Sequence, residues 1–533
     1  MFLLRIAVVA VLCALPHAQG LPVVSYPAGN PRTSAKVLLG KALFWDEQLS
    51  STRSVACGTC HILSAGSTDP RTFTDPRSMH PGHDAALGTP DDVGGSFGVP
   101  GNTAGGSYLS TFFGLSPQVT PRRTQSVIMA QYAPSLFWDG RATDSFADPV
   151  THQILLPTNA ALESQALGPL TSEVEMGHLG RTLSDVEVRI VTVRPLALAS
   201  NIPAPLATFV AGRSYPDLFQ LAFGSNQVTA ARIAMAIATY ERELVPDQTP
   251  FDLGTLSSVA RGGQIVFTLG RCDTCHAPPL FTDNLFFNTG VRPTTEDSGR
   301  GGITGLPADI GTFRVPSLRN VKLRAPFLHN GRFRTLAEVV DFYTRGGDFP
   351  ASNLSITPTG FSAQQKRDLV VFLEELTDPR VENELPPFDR PTLFSESSGA
   401  NVHFGHGTPG DGGIVPEAIA VEPAVLGNDR FTLGFDKGAA GSPVWLVFGF
   451  NADPVGLPLL GITFHLVPGP DLIGFQAGTT GGSAPGEGRL SFTFRVPTAA
   501  SLRGVTLNGQ WIQLNFASPS PFSATAGFGF TLL

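Results

Sequence analysis

The chain has 533 residues, room for three domains of ordinary size, with 15% charged residues and a net charge of −8. That balance argues against nucleic acid and anionic membrane as partners, because both select basic surfaces. The 58 glycines and 45 prolines imply long loops around modest helices.

The first twenty residues read as a removable export signal. Met1-Phe-Leu-Leu-Arg5 is a short basic start, Ile6 to Leu15 an apolar run, and Ala18-Gln-Gly20 a small-residue cleavage site. The run is too short to span a bilayer, and no other stretch is long and apolar enough for a membrane span. The mature chain is therefore expected to be soluble in a periplasmic or otherwise exported compartment. Cys13 would leave with the signal.

A first unit is expected over 21–250. It holds Cys57-Gly-Thr-Cys60-His61 and an irregular Gly, Pro and Ser-rich stretch from 64 to 120. Ala230, Ile233, Ile237, Tyr240 and Leu244 then recur at helical spacing. Pro246 and Pro250 mark a linker into a second unit, 251–390, which holds Cys272-Asp-Thr-Cys275-His276. Thr335 with Glu338 forms a capping box for a helix whose apolar face is Leu336, Val339, Val340 and Tyr343, stopped at Gly346-Gly347. Ser362 with Gln365 starts another, burying Leu369, Phe372, Leu373 and Leu376.

From 396 to 533 the apolar period changes to two: Phe431, Leu433 and Phe435; Leu490, Phe492, Phe494 and Val496; Ile512, Leu514 and Phe516. Such runs between Gly and Pro turns indicate an antiparallel β-sandwich. His403, His406 and His465 read as solvated loop histidines rather than metal ligands.

Outside the signal, the cysteines fall entirely into two Cys-x-x-Cys-His copies. Two thiols three positions apart can form thioether bonds to one porphyrin while the adjacent imidazole ligates its iron. A thioredoxin-like pair, a disulfide and a half zinc site are the competing uses, but a zinc site would pool both pairs around one ion. The expectation is two covalently bound c-type haems, in two mainly α-helical cytochrome c-like domains followed by an all-β sandwich-like domain. A second ligand to each iron is then the question. Met1, Met79, Met129, Met176 and Met235 all precede Cys272, so the second unit has no methionine of its own. Its candidates are His329, in the turn Pro326-Phe-Leu-His-Asn-Gly331, and Tyr343, which periodicity alone also explains as a core aromatic.

These residues resemble the bacterial di-haem cytochrome c peroxidases and their MauG-type relatives over roughly 30–385. The resemblance is carried by Leu39-Gly-Lys-Ala-Leu-Phe-Trp-Asp46, Leu136-Phe-Trp-Asp-Gly-Arg-Ala142, Val174-Glu-Met-Gly177, Phe281-Thr-Asp-Asn284, Pro316-Ser-Leu-Arg-Asn320, Phe327-Leu-His-Asn-Gly-Arg332 and Asp341-Phe-Tyr-Thr-Arg-Gly-Gly347. It implies that the haem on His61 reacts with hydrogen peroxide and the haem on His276 transfers electrons. It implies Tyr343 as axial ligand, as in the MauG branch, Trp138 as electron relay and Glu175 as the acid of the peroxide pocket. Electrons would come from a small cytochrome c or cupredoxin. The alternatives are a MauG-like oxidase acting on a protein or organic substrate and a non-enzymatic di-haem carrier. The chain departs from the family pattern where a common Gln reads Asp148, and where an Asn near an interdomain calcium reads Arg123, which puts calcium in doubt. His80 and His83 lie in the loop that can supply a resting distal ligand.

Overall fold

The computed structural model describes residues 20–397, 399–516 and 520–533, so the export-signal reading, apart from Gly20, lies outside the described residues. Helix α1 (Ser34–Phe44) starts where the Thr33 side chain accepts from the Lys36 amide, and α2 (Ala230–Glu241) starts likewise at Thr229. The two cross at Gly40, where a Cβ would lie 1.9 Å from the Ala236 carbonyl oxygen. Only glycine permits that approach. It brings Leu39, Leu43 and Phe44 against Ile233, Ile237 and Tyr240 in one buried core.

The same device recurs in the second unit. Helix α3 (Ser258–Leu269) crosses a later helix, α5 (Ala363–Glu374), at Gly263, where a Cβ would lie 1.9 Å from the Asp368 carbonyl oxygen. Between them in the chain stands α4 (Leu336–Arg345). The Thr335 side chain accepts from the Glu338 amide, the Glu338 carboxylate accepts in return, and Gly346 ends the helix at φ +85°. Leu336, Val340 and Phe342 are buried, and Leu336, Val339, Val340 and Tyr343 line a cavity. Each fully buried Leu or Phe contributes about 1.5–3 kcal/mol.

Long irregular connections join these helices, so helices frame each unit rather than fill it. Within 64–120 the order is confined to brief pieces, among them a hairpin in which Phe97–Pro100 pairs with Pro117–Val119. After Pro379 the chain returns to the first core, where Val381, Phe388 and Leu393 pack.

The C-terminal region is β-rich. Its strands are β1 (Val402–Phe404), β2 (Glu417–Ile419), β3 (Phe431–Gly438), β4 (Pro443–Gly449), β5 (Ala452–Leu459), β6 (Ile462–Leu466), β7 (Ile473–Thr479), β8 (Gly488–Phe494), β9 (Thr506–Leu514), β10 (Phe522–Ala524) and β11 (Gly527–Thr531). One antiparallel sheet has the order β2-β3-β8, and another β7-β4-β9-β11-β1 with β10 on β9; β5 and β6 form a separate hairpin. Phe431, Leu433 and Phe435 from one sheet meet Val444, Leu446, Trp511, Phe528 and Phe530 from the other in a common core.

Two sequence expectations change here. In β9 the core face carries Trp511, with Gln513 and Asn515 buried in the same alternation, while Ile512 and Leu514 are only half-buried and Phe516 is exposed. His465 is not a solvated loop histidine: it is fully buried on β6, with Nδ1 2.9 Å from Asp453 O and Nε2 2.8 Å from His406 O. No helix among the described residues is long and apolar enough to cross a membrane.

Candidate active site: two cavities with a shared wall

Each Cys-x-x-Cys-His segment opens on its own cavity. Cys57–Cys60 is a single helical turn, and its Gly58 is required because a Cβ there would lie 2.2 Å from the Trp45 ring. Cys57, Cys60 and His61 line a first cavity of about 730 Å³, together with His80, His83 and Glu175. Cys272, Cys275 and His276 line a second of about 610 Å³, together with Tyr343, Val339 and Phe267. Both volumes suit a large planar cofactor. The thiol pairs thus sit in separate cavities, and among the described residues no group of three or more His, Cys, Asp and Glu is placed to hold a metal ion.

The two histidines are oriented alike. His61 Nδ1 lies 3.3 Å from Ser67 O and His276 Nδ1 lies 3.0 Å from Phe281 O. A ring that donates from Nδ1 to a carbonyl keeps the Nε2 lone pair free for a metal. Burial pushes both imidazoles down to about 4, so both are neutral at neutral pH. Burial likewise raises the Cys60 thiol to about 12 and Cys272 to about 11. A redox-active Cys-x-x-Cys pair has a depressed thiol instead.

Trp138, His329, Arg123, Gln125, Ser126 and Ala130 line both cavities. Trp138 is held from both sides: its indole donates to Arg123 O at 2.7 Å, and its carbonyl accepts from the Arg314 amide at 2.8 Å. His329 meets it edge-on with ring centroids 6.2 Å apart, and stacks on Phe313 at 3.6 Å. His329 therefore belongs to the dividing wall.

Glu175 enters the first cavity from the turn after Ser172, and its carbonyl accepts from Val99 N at 3.1 Å. Burial raises its carboxyl, opposed by a hydrogen bond from Ser172 and by the Arg141 charge. Asp148 lines neither cavity; it caps a turn by accepting from the Val150 and Thr151 amides. Tyr343 lies in the second cavity, where burial pushes its phenol up.

Three features escaped the sequence reading. Met129, from the first unit, lines the second cavity, so a thioether is present there although the second unit contains none. Glu241 lines the first cavity at 2% exposure with Oε2 unpartnered, because neighbouring Arg242 is committed to Glu163 by bonds of 2.8 and 2.9 Å. Arg123, Arg314 and Arg324 are buried around the second cavity with no acidic side chain bonded to them, and each leaves Nε unpartnered. Arg123 instead donates to Thr68 Oγ1 and Arg324 O. Burial lowers these guanidiniums to about 9, 10 and 10. Buried cations without anions are costly, so this wall fits a ligand carrying carboxylates, as the propionates of haem do. Among these, Glu241 left a sequence signal as the residue after Tyr240 on the α2 stripe, and Arg123 left one as the departure from the family's Asn.

A family model described as di-haem cytochrome c peroxidase matches residues 34–257. The chain is 32% identical to methylamine utilization protein MauG of Methylorubrum extorquens over 364 residues, covering 66% of this chain and 81% of that one. It is 29% identical to cytochrome-c peroxidase IdrP1 of Denitromonas iodatirespirans over 432 residues, covering 72% and 94% respectively. Among solved structures it is similar to a MauG-like protein associated with microbial copper homeostasis, at 26% identity and a TM-score of 0.49, covering 71% of this chain and 98% of that one. The chain belongs to the di-haem cytochrome c peroxidase and MauG family of oxidoreductases, whose members carry two haems.

Proposed function

We propose that the chain is an exported peroxidase that binds both haems covalently and reduces hydrogen peroxide with electrons from a small cytochrome c or cupredoxin. The observation that carries this reading is the pair of cavities, each lined by one Cys-x-x-Cys-His segment, with Trp138 in their common wall. Cys57, Cys60 and His61 would hold one haem in a peroxide-reacting unit over 21–250, and Cys272, Cys275 and His276 the other in an electron-transfer unit over 251–390. A bound haem supplies an iron that changes oxidation state, which the side chains of the first cavity cannot do themselves.

The protein's own contribution is placement and proton handling. Ser67 O and Phe281 O engage Nδ1 of the two imidazoles, which leaves each Nε2 available as a metal ligand. Glu175, as a carboxylate, would take a proton from one oxygen of peroxide and return it to the other, which would leave as water, while a haem held by His61 would supply the two electrons that breaking the O–O bond requires. The indole of Trp138 lies in the wall between the two cavities, beside the ring of His329. Arg123, Arg314 and Arg324 would receive propionates.

Trp138→Phe tests this division of labour in stopped-flow measurements. Peroxide should still react at the first haem at the wild-type rate, while turnover driven by reduced donor falls at least roughly tenfold, about 1.4 kcal/mol of added barrier. Wild-type protein with both haems six-coordinate and inert to peroxide in every redox state would overturn the proposal.

A second reading, a MauG-like oxidase of a protein or organic substrate, is favoured by Tyr343 in the second cavity. A tyrosine ligand stabilises oxidised iron. Tyr343→Met should raise the potential of the second haem by on the order of 0.1 V or more, since axial ligands span a wide range of potentials. Met129→Leu should leave that potential unchanged. The reverse outcome, a shift with Met129→Leu alone, assigns ligation to the methionine.

A further inference from the structure

The β-rich region is gripped to the rest of the chain at one place in particular, the hairpin spanning 97–119. At its far end Leu115 N donates to Asp436 Oδ2 at 2.6 Å, and Gly114 sits at φ +65° where any Cβ would lie 2.1 Å from that oxygen. Tyr108 N donates to Ser491 Oγ at 2.7 Å, and Tyr108 OH bonds Glu422 Oε1 at 3.1 Å. Thr432 Oγ1 donates to Gly106 O at 3.0 Å. Tyr108, Leu115 and Ile419 make a buried apolar cluster behind these bonds. This is why β3 is buried on both faces: one meets the sandwich core, the other meets the hairpin.

The near end of the same hairpin touches the first cavity. Val99 N donates to Glu175 O, and Gly98 is pressed so closely that a Cβ would lie 1.8 Å from Val174 O. From the far end, Phe113, next to Gly114, packs on the ring of His80, with centroids 6.1 Å apart. His80 lines the cavity with Nδ1 accepting from Gly82 N at 3.2 Å, so the neutral ring carries its proton on Nε2. That is the opposite arrangement to His61. A ring protonated on its free nitrogen presents a donor, not a lone pair.

We infer that the C-terminal β-region is a brace for the peroxide cavity: by clasping the 97–119 hairpin it fixes the Glu175 backbone and holds His80 as an N–H donor on the wall, off the iron. This rests on the reading that the first cavity holds a haem. Burial also lowers the His80 pKa, which keeps the ring neutral. Asp436 and Tyr108 are positioning residues in this scheme, acting through the hairpin.

The test uses full-length holoprotein with its haem count established by mass. Asp436→Ala should increase amide hydrogen exchange across 97–119 at least tenfold and add a six-coordinate low-spin component at the first haem, seen by electron paramagnetic resonance. Adding His80→Ala should remove that component, and Asp436→Asn, which keeps one accepting oxygen, should return the spectrum toward wild type. Tyr108→Phe is the milder variant should Asp436→Ala not fold, with smaller changes of the same sign. Faster exchange with no change in spin state, or unchanged exchange, overturns the brace. If wild-type protein carries no first haem, the functional reading falls instead, and exchange at the Val99 and Glu175 amides alone decides whether the β-region restrains the hairpin.

Discussion

Replacing Cys57 and Cys60 together by serine should yield protein carrying one haem in place of two and reduce peroxide turnover to background. The first cavity measures about 730 Å³ and is enclosed by Phe44, Val55, Leu136, Leu162 and Ile237 as well as by its polar groups. Without thioether bonds His61 alone would have to retain the porphyrin, and a single imidazole bond exchanges. A space of that size does not stay dry when it contains Glu175 and Glu241, so it fills with water or collapses. Peroxide chemistry is lost either way, because the second cavity contains neither Glu175 nor Glu241. The second haem should survive, since its core of Phe251, Phe267, Phe281, Phe342 and Phe372 is separate from that of the first unit. Intact mass and the reduced visible spectrum check the result: one haem, still reducible, with no spectral response to peroxide. A variant that retained two haems, or that lost peroxide reactivity only partly, would count against assigning peroxide reduction to this cavity.

What the sequence made legible was local. The Cys-x-x-Cys-His turns and both capping boxes are set by neighbours within a few residues, and each lies where its pattern requires. The α2 stripe is helical through Tyr240, but Leu244 lies past the helix end at Glu241, and every α2 residue except Arg232 is buried, not one face alone. That Tyr343 faces inward was readable because capping at Thr335 fixes the phase of α4, whereas its reading as an axial ligand came from the family resemblance alone. The β9 phase was misread for a physical reason. Gln513 is buried on the core side because its amide donates to Ala439 O at 2.8 Å and its Oε1 accepts from Ala439 N at 2.7 Å. A buried amide with both partners satisfied is inexpensive, yet in a sequence it reads as surface. Contacts across long separations left no trace at all. Trp138 meets His329, Met129 reaches the second cavity, and Tyr108 reaches Glu422 only because the units are packed together. The stretch from 64 to 120 lacks periodicity because its order comes from those contacts, not from its own repeat.

Glu175→Gln should lower kcat/KM for peroxide by roughly 10² to 10⁴, the usual contribution of one positioned acid or base. Glutamine preserves the shape of the side chain and can still accept a hydrogen bond, but it cannot take up and return a proton. The pH dependence separates this from a merely structural loss. Glu175 works first as a base, so it must start ionised, and activity falls on the acid side as the carboxylate gains a proton. Its carboxyl is raised by burial, only partly offset by Ser172 and Arg141. The acidic limb of the wild-type profile should therefore lie above the ordinary carboxylate range. That limb should be absent from Glu175→Gln, leaving a lower and flatter profile. The same shift has a consequence for stability: the folded chain holds the Glu175 proton more tightly than the unfolded chain does. Its contribution should be greatest below the ordinary carboxylate range and decline as pH rises toward the folded value, and Gln should remove this decline. Loss of activity with the acidic limb still in place would assign the proton transfer to another group, and Glu241, buried in the same cavity, would be the next to substitute.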